Sequence, residues 1–239
     1  MARLNTGWDH CDMTGVDGQP SCPKLKEDIE GYKVGFIIEK DERVIWETHL
    51  NKDTINITSE HELVKIPVII KLSIKKGTRV TSINRVISDR EIFTSSMLSG
   101  YSLDPGVMIV DNHQICKKRC SLAFVDGIYS MPNIACRDSA LLPKDSIAHS
   151  YFSPSFTYYT GKRVNPTKKF CDIDGPLYEC ASGIHFFSTP KEAFDYYNHW
   201  CMGNLVFQEY GQETLKRLYD KDLKLKEKIN KKEILNNAT

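Results

Sequence analysis

No stretch of this chain stays apolar for long: the longest run, Ile66 to Ile70, is broken by Pro67. A helix that crosses a bilayer needs roughly 20 such residues, so a membrane partner is not expected. Charge of one sign is also lacking. The 32 lysines and arginines face 31 acidic residues, leaving +1, and no general field draws nucleic acid or an anionic membrane. The first residues, Met1-Ala2-Arg3-Leu4-Asn5-Thr6-Gly7-Trp8, lack the apolar centre of a secretion signal, which places the thiols in a reducing compartment. Cys11, Cys22, Cys116, Cys120, Cys136, Cys171, Cys180 and Cys201 are accordingly read as reduced residues that pack as small hydrophobes. There is no repeat of fixed period and no low-complexity block, which excludes solenoids. Phosphate-cradling glycine loops, nucleophile elbows and paired-histidine zinc helices are missing too, so the common enzyme signatures are absent and no cofactor is expected.

What the chain does have is an ordinary globular balance, 41% apolar and 26% charged residues over 239 positions, enough to bury a core in one or two domains. Residues 1–30 read as an irregular arm and 31–210 as one β-rich body with an insertion at about 98–149 that carries its own hairpin. Residues 211–239 read as a charged amphipathic helix, starting near Gln212. Alternation at Val34, Phe36 and Ile38, then at Val44, Trp46 and Thr48 about a turn at Asp41-Glu42, predicts a hairpin. Val68, Ile70, Leu72 and Ile74 mark a strand with Lys71 and Ser73 opposite, hence an antiparallel sheet with one wet face. Val80 to Ile83 and Glu91 to Thr94 are expected to return as strands, and residues 151–183, dense in glycine and proline, as short strands and turns. Thr189-Pro190 with Glu192 predicts a helix over about 190–200, with Ala193, Tyr196, Tyr197 and Trp200 on its buried face. The fold class is α+β: a mainly antiparallel sheet, a short helix after the Gly-Ile-His-Phe-Phe strand, and a C-terminal amphipathic helix.

The most informative run is Glu179 to Pro190, in which a strand feeds a helix start. Alternation puts Ile184 and Phe186 on one face, His185 and Phe187 on the other. His185, with an unperturbed pKa of about 6.5, suits proton transfer or ligand reading near neutrality, and also suits a satisfied histidine that merely fixes the strand. His113, Cys116, Cys120 and Cys136 offer zinc-type ligands at spacings that fit no recognised pattern, so no metal is expected. Lys117-Lys118-Arg119 and the lysines from Lys221 to Lys232 offer phosphate contacts, but Asp220, Asp222, Glu227 and Glu233 interleave the latter, which favours a solvated helix face.

Val68 to Ile74 with Gly77-Thr78-Arg79-Val80, Ser155 to Lys162, Glu179-Cys180 through Phe187, and Ala193 with Tyr196 together resemble an uncharacterised domain of large DNA viruses and bacteriophages, often found beside pentapeptide repeats. The resemblance covers roughly residues 64–97 and 150–198. Asn84 to Arg90 departs from the cysteine-containing basic segment of that domain, and 98–149 stands as an insertion. The resemblance implies a viral context, hence the host-cell cytoplasm or the virion, and assigns no reaction. On this basis the chain is expected to be an interaction module for a host or viral protein, with Tyr158, Tyr159, Gly161, Cys180, Gly183, His185 and Phe187 at its binding surface. The other reading is a nucleotide-directed enzyme, faintly similar to ADP-ribosyltransferases, with Glu209 or Glu213 as its acid.

Overall fold

The computed structural model describes residues 21–48, 55–81, 107–110, 113–131, 139–151, 153–173, 181–197 and 211–237. Two long strands, β1 (Ile29–Thr48) and β2 (Ile55–Ile74), pair antiparallel over their whole length. The other strands are β3 (Val107–Val110), β4 (His113–Cys116), β5 (Lys118–Cys120), β6 (Ala123–Ser130), β7 (Ala148–Ser150), β8 (Thr157–Tyr158), β9 (Arg163–Val164) and β10 (Ile184–Phe186). Helix α1 spans Pro190–Tyr196 and α2 spans Gln212–Asn237. The six-stranded sheet has the order β8-β7-β1-β2-β6-β9, while β10 pairs with β5 and β3 with β4.

No turn occurs at Asp41-Glu42, where the sequence predicted one, because β1 runs straight through it. The apolar positions on either side of that acidic pair share one parity, 34 to 38 and 44 to 48, which is the mark of a single uninterrupted strand. Pro67 is tolerated inside β2 for a related reason. The Gln212 side chain donates to the Leu63 carbonyl (2.9 Å) and accepts from its N–H (3.1 Å), so the backbone groups of Leu63 point away from β1. Those of Pro67, four residues on in an unbroken register, point the same way. Its missing N–H therefore takes no bond from the β1–β2 ladder.

Although β8 and β9 stand at opposite ends of the strand order, only Tyr159 to Lys162 connect them. Five residue steps reach at most about 18 Å, so the sheet curls until its edges approach. Gly161 N–H donates to the Val125 carbonyl of β6 (2.8 Å), and Val125 N–H donates back to Lys162 (2.9 Å). Inside the curl lies one core, with Val68, Ile70, Leu72 and Ile74 of β2, Val125 and Ile128 of β6, Tyr158, Val164, Ile184 and Phe186. Outside it, Val34, Phe36 and Ile38 of β1 pack with Phe187, with Ala193 and Tyr196 of α1, and with Leu215 and Leu218 of α2. The middle of β1 is thus buried on both sides, where two helices lay apolar stripes over Val34, Phe36 and Ile38, while the expected wet face persists at Lys71 and Ser73 of β2, which stay partly exposed.

Helix α1 begins as the sequence predicts. Thr189 Oγ1 accepts from Glu192 N–H, and Glu192 reaches back to the N–H of Ser188 and Thr189, a complete capping box. It ends at Tyr196, with Tyr197 as its C-cap, and Trp200 lies outside the described residues, as do Glu91 to Thr94. Helix α2 matches its predicted start and length. Of residues 98–149, read as an insertion, β6 is an inner strand of the sheet and β5 lies under β10. Glycine and proline density there marks turns, and the hairpin β3–β4 forms a two-stranded sheet of its own that meets α1 through β4. Among the described residues no helix is long and apolar enough to cross a membrane.

Candidate functional site

Strand β10 carries the Gly-Ile-His-Phe-Phe run, and the register sets Ile184 against Cys120, His185 against Arg119, and Phe186 against Lys118. Directly after it, Phe187 leaves β5 and exchanges two backbone bonds with Tyr32 of β1, 2.7 and 2.8 Å. This short strand thereby staples the β5 ribbon to the main sheet. Ile184 and Phe186 enter the inner core, whereas Phe187 enters the outer one against the Tyr196 ring, centroids 4.8 Å apart.

Arg119 organises everything beneath this strand. It is fully buried, and its Nη1 donates to the carbonyls of Cys171 (2.5 Å) and Ser182 (3.3 Å) while Nη2 donates to that of Ile173 (2.5 Å). The guanidinium also lies 5.3 Å from the Phe170 ring centroid, a cation–π arrangement. A planar fork of donors suits several fixed carbonyls at once in a way a lysine ammonium does not. Arg79 forms an ion pair with Asp172, between the two clamped carbonyls. Among the described residues, Arg119 Nε and Asp172 Oδ1 are buried without a hydrogen-bond partner. Residues 21–24 join the same knot: Cys22 N–H donates to Asp172, and Val80 N–H donates to Pro23.

Gly183 is explained by this arginine. A Cβ at that position would lie 2.9 Å from Arg119 Cβ and 3.3 Å from its Cγ and Cδ, closer than packed carbons tolerate. Gly183→Ala is therefore expected to cost about 1 to 3 kcal/mol through overpacking, read as a lower urea midpoint with an unchanged slope.

The other predicted residues fall in separate places. Tyr158 is buried in the inner core, where burial pushes its phenol well up. Tyr159 is half-buried, and Gly161 is exposed at φ 81° in the β8–β9 turn, the left-handed region that glycine enters freely. His185 is half-buried in the ladder opposite Arg119. Cys180 lies outside the described residues. Of the zinc-type set, Cys120 points into the core with Sγ 3.6 Å from the Ile184 carbonyl, and burial pushes its thiol up to about 12. Cys136 lies outside the described residues. Among the described residues no group of three or more histidine, cysteine or acidic side chains is placed to hold a metal. Glu209 is not described, and Glu213 sits on an exposed stripe of α2 with Lys216, Arg217 and Asp220.

Two further groupings involve side chains that the sequence reading did not connect. His149 of β7 is buried, with Nδ1 2.5 Å from the Pro154 carbonyl and Nε2 2.7 Å from the Asp222 carboxylate of α2. Both ring nitrogens thus meet oxygen acceptors, and the ring stacks on Phe36 at 5.4 Å. Asp222, read from the sequence as part of a solvated face, is buried because the turn of α2 after Leu218 crosses the sheet there. The second grouping surrounds Lys162. Its Nζ donates to the Thr157 carbonyl (2.7 Å) and Oγ1 (3.0 Å), and it lies over the Phe156 and Tyr159 rings. Burial lowers its amine from the ordinary lysine value, and the two oxygens and two ring faces stand in for the water that the charged form gives up.

Known proteins give this arrangement a partial frame. No curated protein and no solved structure matches the chain. Residues 107–193, which hold β3 to β10, Arg119, the Gly183 to Phe187 run and the first turn of α1, match a family described as a family of unknown function (DUF5758).

Proposed function

We propose that this chain is a non-enzymatic interaction module that acts inside an infected cell on a host or viral protein. The viral setting rests on the resemblance carried by Ser155 to Lys162 and Glu179 to Phe187. The observation that carries the non-enzymatic reading is the commitment of the most specific run to internal order. Gly183 makes room for Arg119, Ile184 and Phe186 fill the inner core, and Phe187 staples two sheets. The groups best suited to chemistry are spent in the same way, with Arg119 on three carbonyls, His149 between a carbonyl and a carboxylate, and the Cys120 thiol held protonated by burial. Such a scaffold holds residues 170–173 and 181–187 in a fixed relation, which is what a rigid docking surface needs.

A thermal-shift screen separates this reading from a nucleotide-directed enzyme. A ligand at 100 times its Kd stabilises the native state by roughly 2.7 kcal/mol, several degrees in Tm for a chain of this size. The expected result is no saturable rise with NAD, other nucleotides or cyclic dinucleotides, and recovery of one discrete protein with the tagged chain from infected cells. A saturable rise with any nucleotide would overturn the proposal in favour of the ADP-ribosyltransferase-like reading.

A further inference from the structure

We infer that Phe156, Tyr159 and the two oxygens of Thr157 form a cation cage for an alkylammonium group, and that Lys162 is its resident. The Lys162 ammonium lies 5.8 Å from the Phe156 ring centroid and 5.2 Å from that of Tyr159. Its hydrogen bonds go to the Thr157 carbonyl at 2.7 Å and the Thr157 hydroxyl at 3.0 Å. Ring faces on two sides and oxygen acceptors on another are the surroundings that recognise an ammonium ion.

The walls stand without the lysine side chain. Phe156 packs on Tyr158 with centroids 5.1 Å apart, and Tyr158 is anchored in the inner core. Phe156 N–H donates to Ser153 and its carbonyl accepts from Ser150. Tyr159 is set by the turn that Gly161 permits at φ 81°, by Lys162 N–H donating to the Tyr159 carbonyl (3.0 Å), and by the backbone exchange with Val125. All of these are main-chain or ring contacts that survive truncation of residue 162. The seat is half open to solvent, so a free ion can enter it. The lysine holds it in the native chain because its tether gives it a high effective concentration.

The test uses the full chain carrying Lys162→Ala, with n-butylammonium chloride at about 0.2 M against the same concentration of sodium chloride. Binding near its Kd is expected to raise Tm by about 1 to 2 °C in this variant. No such rise is expected in the wild type, whose cage is filled, or in Lys162→Met, whose uncharged side chain occupies the same seat. A response no larger than with sodium chloride overturns the inference, and an equal response to 1-butanol reduces the site to an apolar hole, which overturns it as well. A second measurement serves if the alanine variant does not fold. Acetylation of the wild-type chain by an N-hydroxysuccinimide ester, followed by mass spectrometry, is expected to modify Lys162 about fivefold more slowly than the exposed Lys144, because the two rings and the Thr157 bonds shield the amine from the ester by more than its lowered basicity speeds attack. Tyr159→Leu is expected to remove that protection. Equal rates at Lys162 and Lys144 in the wild type sink the cage.

Discussion

Arg119→Met is expected to destabilise the fold by about 3 to 5 kcal/mol, the scale on which removing one side of a buried charged network acts. The methionine keeps most of the volume against Gly183 but supplies no donor. The carbonyls of Cys171, Ser182 and Ile173 lose the guanidinium they share, and each buried acceptor left unmet costs roughly 1 to 3 kcal/mol. At about 2 to 4 °C per kcal/mol for a chain of this size, Tm falls by roughly 6 to 20 °C. The loss has a signature beyond its size. Amide exchange should quicken together in residues 170–173 and 181–187, which among the described residues are joined by this clamp and the Cys171–Ser182 backbone bond. Arg119→Lys should recover little, because one ammonium cannot reach carbonyls on both Nη1 and Nη2 paths. A lysine variant with the wild-type Tm would show that charge alone, not the fork, holds the knot.

The clamp explains where the sequence could be read and where it could not. Local chemistry was legible: Thr189, Pro190 and Glu192 announce α1 because a capping box is satisfied within four residues. Alternation announced the strands but not their extent: β1 runs through Asp41-Glu42, where two adjacent acids resemble a turn while the parity around them says otherwise, and β2 runs unbroken from Ile55 to Ile74. Arg119 was illegible. Beside Lys117 and Lys118 it reads as one of three solvent-facing charges, and nothing in that triplet tells that its partners are carbonyls 52 to 63 positions away. The curl of the sheet was hidden for the same reason. Tyr158 and Arg163 look like the ends of a simple hairpin, yet their strands pair with β7 and β6 at opposite edges. Both features depend on topology, which periodicity does not record.

Among the residues expected at a binding surface, Gly183 and Phe187 pack within the frame, while Tyr159 and Gly161 shape a half-open turn on its rim. A distinctive run need not be a ligand site. Here its glycine answers to an arginine 64 positions earlier in the chain, and its final phenylalanine to a backbone partner in β1. Surfaces that meet a partner are carried by such frames.

The second buried pair supplies a prediction in which two damaging changes partly cancel. His149→Phe keeps the ring that stacks on Phe36 but leaves the Asp222 carboxylate buried without its imidazole, so a loss of about 3 to 5 kcal/mol is expected. Asp222→Leu alone leaves Nε2 of His149 facing an apolar side chain and should cost about 1 to 3 kcal/mol. Asp222→Asn should be milder still, because its amide can donate to Nε2 while Nδ1–H continues to donate to Pro154. In the double variant His149→Phe with Asp222→Leu, neither polar partner is left stranded except the Pro154 carbonyl, and two apolar side chains meet between Phe36 and Leu218. Replacing both members of a buried pair is often neutral or stabilising relative to losing one. The double variant is therefore expected to be more stable than His149→Phe alone, by about 2 kcal/mol or more in a urea-unfolding cycle. Amide exchange along residues 215–226 should follow the same order, since His149 is the contact that ties that part of α2 to β7. Strict additivity of the two single losses would mean that the ring and the carboxylate are neighbours without being partners, and that Gln212, Leu215 and Leu218 hold α2 to the sheet without them.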